Sequence, residues 1–344
     1  AAARERRTSA TLSPVKTVVT GATGLLGGNL ADALIQAGHD VVATRRASSR
    51  ADHLAHLPIR WKDADLADAG ALARAFDGAD VVFHCAASVD ILPTVTPALR
   101  DANVGGTERV IAAVRRARVA RLVHCSSTTA AGVSDGSRDV TEADPWNLPE
   151  HGLDDGYATT KREAQERVLA AVEQGLDAVV CQPAYMLGPY DARPSSGQLV
   201  VEIARRRIPF AAPGMQNVVD VRDVARGMIL AWQKGRRGEV YILGGENMTY
   251  VELFARIGRA CDVAPPTRVL PYFLPISFAT VVELGARALG VRTAISRPAI
   301  RYGYAMGYRF SSDKARRELG YAPGSPDDGL RACVAWLREH GKLP

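Results

Sequence analysis

From Thr17 to Ala184 short apolar runs alternate with longer stretches in which apolar residues recur every three or four positions. TVVTGATG (17–24) reads as a strand running into a glycine turn, and 25–38 as a helix stopped by Gly38. VVATRR (41–46), IRWKDADL (59–66), VVFHCAA (81–87), RLVHCSS (121–127) and AVVCQPA (178–184) read as further strands. Helical periodicity fills residues 69–76, 101–118 and 155–174. Strands that are apolar throughout are buried on both faces, so their alternation with helices predicts an α/β protein with a doubly wound parallel sheet. After Pro183 the rhythm changes. GPYDARPSSG (188–197) and APGMQNVVD (212–220) read as loops, EVYILGG (239–245) as a last strand returning to the sheet, and 246–344 as mostly helical. The expected division is a flexible polar arm (1–14), a sheet domain (15–184, with 218–245 returning to it) and a smaller, mostly helical lobe (185–217 and 246–344). A ligand then belongs between the two, beyond the C-terminal ends of the strands.

Composition narrows the classes. Of 344 residues, 47% are hydrophobic and 23% charged, which excludes a disordered or coiled-coil chain. Lys and Arg outnumber Asp and Glu by 43 to 37, giving +6 and inviting an anionic ligand. No motif for nucleic acid accompanies that charge. The five cysteines are far apart with no C-x-x-C, which favours a reducing cytoplasm and predicts no metal. His53 and His56 lack a third ligand nearby and read as surface residues. The arm lacks the apolar run of a signal peptide. The apolar stretch Val269 to Val282 is broken by Pro271 and Pro275 and is shorter than the ~20 residues of a membrane span. It reads as a buried helix or lid, or as a contact with a membrane surface.

Gly21, Gly24 and Gly27 stand between a strand and a helix in TGATGLLG. Gly21 allows a tight turn, Gly24 lets the backbone approach a pyrophosphate, and Gly27 lets the helix pack closely on the sheet. Thr23, Leu25 and Leu26 complete this Rossmann-type cofactor turn. At the end of the second strand, where a carboxylate would hold the ribose of NAD, stand Arg45 and Arg46. A guanidinium suits a 2′-phosphate, so NADP (NADPH) is expected over NAD, with Arg46 as its reader. Asp65 and Leu66 are candidates for the adenine contact.

Tyr157 and Lys161 occur as Y-A-T-T-K at a helix start, four residues apart and so on one face. A phenol's ordinary pKa is near 10, and a neighbouring ammonium favours its ionised form. The hydroxyls of Ser126, Ser127 and Thr128 end the fifth strand, where one can hold a carbonyl oxygen while Tyr157 protonates it.

Together, TGATGLLG, HCAAS (84–88), NVGGT (103–107), CSS (125–127), YATTK (157–161) and QPAYMLGPYD (182–191) resemble the extended short-chain dehydrogenases/reductases. Within these, the likeness is to the dihydroflavonol 4-reductase-like and NAD-dependent epimerase/dehydratase branch. VDVRDVARG (219–227) and SSDKARRELGY (311–321) carry it into the second lobe. The resemblance implies that Ser127 polarises the carbonyl, Tyr157 is the acid/base, and Lys161 tunes it and binds the ribose. It further implies that Asn103 relays protons or braces the sheet, Ala86 and Ala87 line the cofactor path, and Pro183 begins the loop over the nicotinamide. It also suggests a homodimer through two helices. His84 and Cys85 read as buried strand residues. Two departures weaken a sugar-nucleotide substrate: Gln182 stands where epimerases of the superfamily commonly have Asn, and Gln216 where they commonly have a phosphate-clamping Arg. Ser88, Thr128, Tyr185, Met186, Tyr190 and Gln198 are the expected contacts for a small, fairly hydrophobic carbonyl compound. The function expected is an NADPH-dependent reductase of a ketone or aldehyde; the alternative is an NAD(P)-dependent epimerase or dehydratase acting on a sugar or sugar nucleotide.

Overall fold

A computed structural model describes residues 15–289 and 296–343, so the expected N-terminal arm lies outside the described residues. Strand β1 (Lys16–Thr20) leads into α1 (Leu25–Gln36), β2 (Asp40–Arg45) and β3 (Arg60–Asp63). Helix α2 (Ala69–Phe76) returns the chain across β1 to β4 (Val81–His84). The short α3 (Pro97–Arg100), a wide π-type turn over Asp101–Gly105 and α4 (Gly106–Arg116) lead to β5 (Arg121–Cys125). Helix α5 (Gly156–Glu173) then precedes β6 (Ala178–Pro183).

These strands and a later β9 (Val240–Leu243) form one seven-stranded sheet, order β3-β2-β1-β4-β5-β6-β9, parallel throughout. The chain reverses direction of winding between β1 and β4, which opens a crevice beyond the ends of those two strands. Alternation along each strand supplies both faces. Val19, Phe83, Val123 and Val179 pack towards α1 and a later α7 (Val221–Lys234), whereas Val18, Val82, Leu122 and Val180 pack towards α2, α4 and α5.

The second lobe differs from the expectation. The segment 212–220 is not all loop: Met215–Asp220 is β8, and it pairs with β7 (Tyr185–Leu187) and β10 (Glu246–Thr249) in a separate three-stranded sheet. Valines 218 and 219 are buried against opposite cores, which is what makes so short a strand stable. The lobe is completed by α6 (Gly197–Ala204), α8 (Tyr250–Cys261), α9 (Phe273–Ala288), α10 (Arg297–Tyr304), α11 (Asp313–Leu319) and α12 (Pro326–Glu339), of which α11 packs back against α7. The third strand is also shorter than expected, ending at Asp63 rather than at Leu66.

Helix α9 takes up the proline-broken apolar stretch, with Pro275 tolerated in its first turn. It is not buried. Phe273, Phe278, Val281 and Leu284 are each more than half exposed, while the helix is held by Glu283, which accepts from Arg297 Nε at 2.6 Å. Among the described residues no helix is long and apolar enough to cross a membrane.

The glycine turn depends on two close approaches of different severity. A Cβ on Gly27 would stand 2.3 Å from the Gly21 carbonyl oxygen, whereas one on Gly24 would meet nothing nearer than 3.4 Å. Gly27→Ala is therefore expected to cost about 1–3 kcal/mol, read as a lower urea midpoint at unchanged m. Gly24→Ala should leave that midpoint nearly unchanged while weakening dinucleotide binding; a loss of stability equal to that of Gly27→Ala contradicts this account.

Candidate active site

The crevice between β1 and β4 is lined first by backbone. Gly21 adopts φ 72°, and a Cβ there would lie 2.6 Å from the Ala86 nitrogen, so only glycine lets the turn close against the end of β4. Ala86 is fixed by its N–H donating to Thr20 Oγ1 at 3.3 Å, and Ala87 follows it, half-buried. Gly24 is the exposed N-cap of α1; no side chain caps the helix and no acid stands in its first turn. Thr23 is half-buried beside it, and the side chains of Leu25 and Leu26 point into the core, leaving their N–H groups for a ligand. An uncapped helix start with its positive dipole end at the crevice fits the pyrophosphate of a dinucleotide. Gly27 serves differently from the expectation, since its close neighbour is the turn itself rather than the sheet.

At the end of β2 the two arginines separate. Arg45 donates to Asp63 Oδ1 at 3.1 Å and stacks over Trp61 with 5.4 Å to the ring centre. Arg46 is exposed and forms no ion pair among the described residues. Asp65 lies two residues past β3 in a turn, where its carboxylate accepts from the Ala67 N–H at 2.9 Å. Leu66 packs against Gly106, and its carbonyl accepts from Arg109 Nε at 2.6 Å.

The catalytic candidates meet at the ends of β4 and β5 and the start of α5. Asp155 caps α5, accepting from the N–H groups of Tyr157 at 2.8 Å and Ala158 at 3.0 Å, and so sets where Tyr157 emerges. One turn on, Lys161 is buried, and its Nζ donates to the Cys125 carbonyl at 2.6 Å. The three hydroxyls that follow β5 have separate partners. Ser126 is buried and donates to Gln165 Oε1 at 2.7 Å, and Thr128 faces Tyr308. Ser127 is left beside the half-buried Tyr157, its Oγ also accepting from the Thr129 N–H at 3.2 Å.

The phenol departs from the simple expectation. Loss of solvent pushes the Tyr157 pKa well above its ordinary value, and the Ser127 hydroxyl is the influence that favours ionisation. Lys161 reaches for the Cys125 carbonyl rather than the phenol, and burial lowers its own pKa.

Asn103 lies in the π-type turn, and its amide is fully engaged. Its Oδ1 accepts from the Ser88 N–H at 2.7 Å, and its Nδ2 donates to the Ser88 carbonyl and to Thr160 Oγ1, both at 3.0 Å. It thus clamps the loop after β4 onto α5. Ser88 donates its hydroxyl to Asp90 at 2.9 Å, and Pro183 is buried at the end of β6. The remaining expected substrate contacts do not gather here. Tyr185 donates to the Ser196 carbonyl from within the second lobe's core, and Met186 packs on the α1/α7 side of the sheet. Tyr190, at φ 71°, donates to Asp32 on α1 at 3.1 Å and meets His56 Nε2 at 3.2 Å. Gln198 is exposed and donates to Glu202 at 2.6 Å.

Several buried groups surround the site, His84 among them, as a buried strand residue. Gln182 Nε2 donates to Gln165 Oε1 at 3.0 Å, joining the ends of β5 and β6 to α5. Gln165 stands eight residues after Tyr157, so extending the i,i+4 count one step finds it. His84 and His124 are directly paired across β4 and β5, with ring centres 5.4 Å apart. His84 bonds Thr20 at 2.8 Å, and neither nitrogen of His124 has a partner. His53 is also less of a surface residue than expected, lying edge-on to Trp336. Among the described residues no three His, Cys, Asp or Glu side chains cluster as a metal site.

Residues 17–244 match the model of the NAD dependent epimerase/dehydratase family. The chain belongs to that family. It is 34% identical, over 94% of each chain, to a Synechocystis sp. protein provisionally named a dihydroflavonol 4-reductase. It is also 34% identical to the 4-hydroxy-2-methyl-3-oxo-4-farnesyl-3,4-dihydroquinoline-1-oxide ketoreductase of Stigmatella aurantiaca, over 90% of this chain and 92% of that one. Among solved structures it is similar to a nucleoside-diphosphate-sugar epimerase of Pseudomonas aeruginosa, with 28% identity, a TM-score of 0.80 and coverage of 96% of this chain and 99% of the other. The family member described here is an NAD(P)-dependent enzyme of the extended short-chain dehydrogenase/reductase type.

The two paired histidines make stability pH-dependent. Burial holds His84 at about 3, with the Lys161 charge adding to the effect, and lowers His124 well below its ordinary 6.5. Below pH ~6.5 the unfolded chain takes up protons that the folded one refuses, so their contribution is complete above that pH and is lost as pH falls towards 3. Each histidine adds a slope of up to about 1.4 kcal/mol per pH unit. Urea midpoints measured at pH 7.5, 6 and 5 should fall steadily, and His124→Leu should flatten the fall; identical pH profiles for the two proteins contradict the assignment.

Proposed function

We propose that this enzyme is an NADPH-dependent reductase acting on the ketone or aldehyde of a small, fairly hydrophobic substrate. The observation that carries the reading is the end of β2, where Arg46 is exposed and forms no ion pair among the described residues, while Arg45 and Asp63 pair with each other. An exposed guanidinium there suits a 2′-phosphate, and Asp63 on the neighbouring strand is engaged by Arg45 rather than left for a 2′-hydroxyl. Two relatives named as reductases, one of them for a farnesylated ring ketone, support an apolar carbonyl substrate. Gln216 also supports it, since its amide is turned to Tyr250 at 3.2 Å and offers no cation to a nucleotide sugar's phosphate.

Bound NADPH supplies the hydride. The chain's own residues manage the oxygen. Ser127 Oγ donates a hydrogen bond to the carbonyl oxygen and gains strength as charge develops on it. Tyr157, kept protonated by its surroundings, gives its proton to the forming alkoxide. The buried Lys161 ammonium, steadied by the Cys125 carbonyl, offsets the charge of the phenolate left behind. Asn103 acts as a brace in this scheme because its amide is spent on Ser88 and Thr160.

A screen of NADPH oxidation over ketones and aldehydes, with NADH in parallel, tests the reading. Net NADPH consumption with a cyclic or long-chain carbonyl supports it. Turnover of a sugar nucleotide with no net cofactor consumption overturns it in favour of an epimerase or dehydratase. Tyr157→Phe should lower kcat by about 10²–10⁴-fold while NADPH binds as before. Arg46→Ala should raise the KM for NADPH by about 10-fold or more with little change for NADH, and equal losses for both would remove Arg46 from the 2′-phosphate site.

A further inference from the structure

Cys85 and Cys125 each follow directly on one of the paired residues His84 and His124, so they stand side by side at the ends of adjacent parallel strands. They also share a face. Phe83, Val123 and Cys125 lie in the core on the α1/α7 side, and Cys85 packs against it. Neighbouring strands run ~4.8 Å apart, within the ~4.4–6.8 Å of Cα separation that a disulfide spans. All five cysteines are free thiols in this structure. The Cys125 thiol donates weakly to the Ser126 carbonyl at 3.6 Å, and the neighbouring Cys85 thiol and the Lys161 charge together hold its pKa down. Cys85 is partly exposed, whereas Cys181, the register partner of Cys125 on β6, is fully buried.

We propose that Cys85 and Cys125 form a peroxide-oxidised dithiol whose disulfide disables the dinucleotide site. The Cys125 thiolate attacks one oxygen of hydrogen peroxide; the O–O bond breaks, and the departing hydroxide takes a proton and leaves as water. Cys85 sulfur then displaces the hydroxyl of the resulting sulfenic acid, forming the S–S bond and releasing a second water. Two thiols lose two electrons and the peroxide gains them. The bond would pull on main chain that matters at both ends. The Cys125 carbonyl holds Lys161, and the residue after Cys85 is the one packed on Gly21. The proposal is independent of which carbonyl compound the enzyme takes.

The test treats the whole protein with hydrogen peroxide, blocks remaining thiols under denaturing conditions, and maps peptides without reduction. The expected result is the loss of two thiols and a linked pair of peptides containing Cys85 and Cys125, absent from both Cys85→Ser and Cys125→Ser. Binding of NADPH and NADH, measured side by side by fluorescence, should weaken at least ten-fold in the oxidised protein for whichever the reduced protein binds, and recover with dithiothreitol. Five free thiols after treatment, a Cys125–Cys181 link, or unchanged dinucleotide binding by the linked protein each overturn the proposal.

Discussion

A buried ammonium on a carbonyl holds the site together. Lys161 loses nearly all its water and has the Cys125 carbonyl as its hydrogen-bond acceptor at 2.6 Å. A cation so placed is costly unless its partners are fixed, and here they are. The contact sets α5 against the end of β5, so the helix that carries the phenol and the strand that carries the hydroxyls share one reference point. Asp155 then fixes the height of Tyr157 on the helix, and the Ser126–Gln165–Gln182 amide network fixes the helix's rotation over β5 and β6. Asn103 completes the frame from the third side by tying the β4 loop to Thr160.

The crevice has a matching economy on its other wall. At the start of α1 the charge comes from backbone, because no side chain caps the helix and no acid stands in its first turn. The sheet supplies the rest by geometry: strands that reverse their order between β1 and β4 leave a gap, and glycine at 21 lets the turn occupy it without closing it. The glycine turn and the Lys161 frame are thus held by separate contacts.

Legibility in the sequence followed the range of the interactions. The strands of the large sheet are apolar on both faces, and residues such as Val18 and Val19 announce this locally. The Tyr157–Lys161 spacing and the glycine turn are equally local. The strand β8 was hidden because its pairing partners β7 and β10 lie some thirty residues away on either side, amid glycine and proline. The hydroxyl partners of Tyr185 and Tyr190, Ser196 and Asp32, were hidden for the same reason, being chosen by tertiary packing that no spacing records. The exposure of α9 was likewise illegible, since an apolar run does not say whether anything covers it.

The pairing of Arg45 with Asp63 and Trp61 bears on how readily this enzyme's descendants can change cofactor. Arg45 is committed to fastening β3 onto β2, so altering it would disturb the sheet's edge. Arg46, one residue on, fastens nothing among the described residues and is open to solvent. On the proposed NADPH reading, structural duty falls to Arg45 and ligand duty to its neighbour Arg46, so the second position can change without the first. On that reading, replacing Arg46 would alter the dinucleotide contact while leaving the fastening of β3 onto β2 to Arg45.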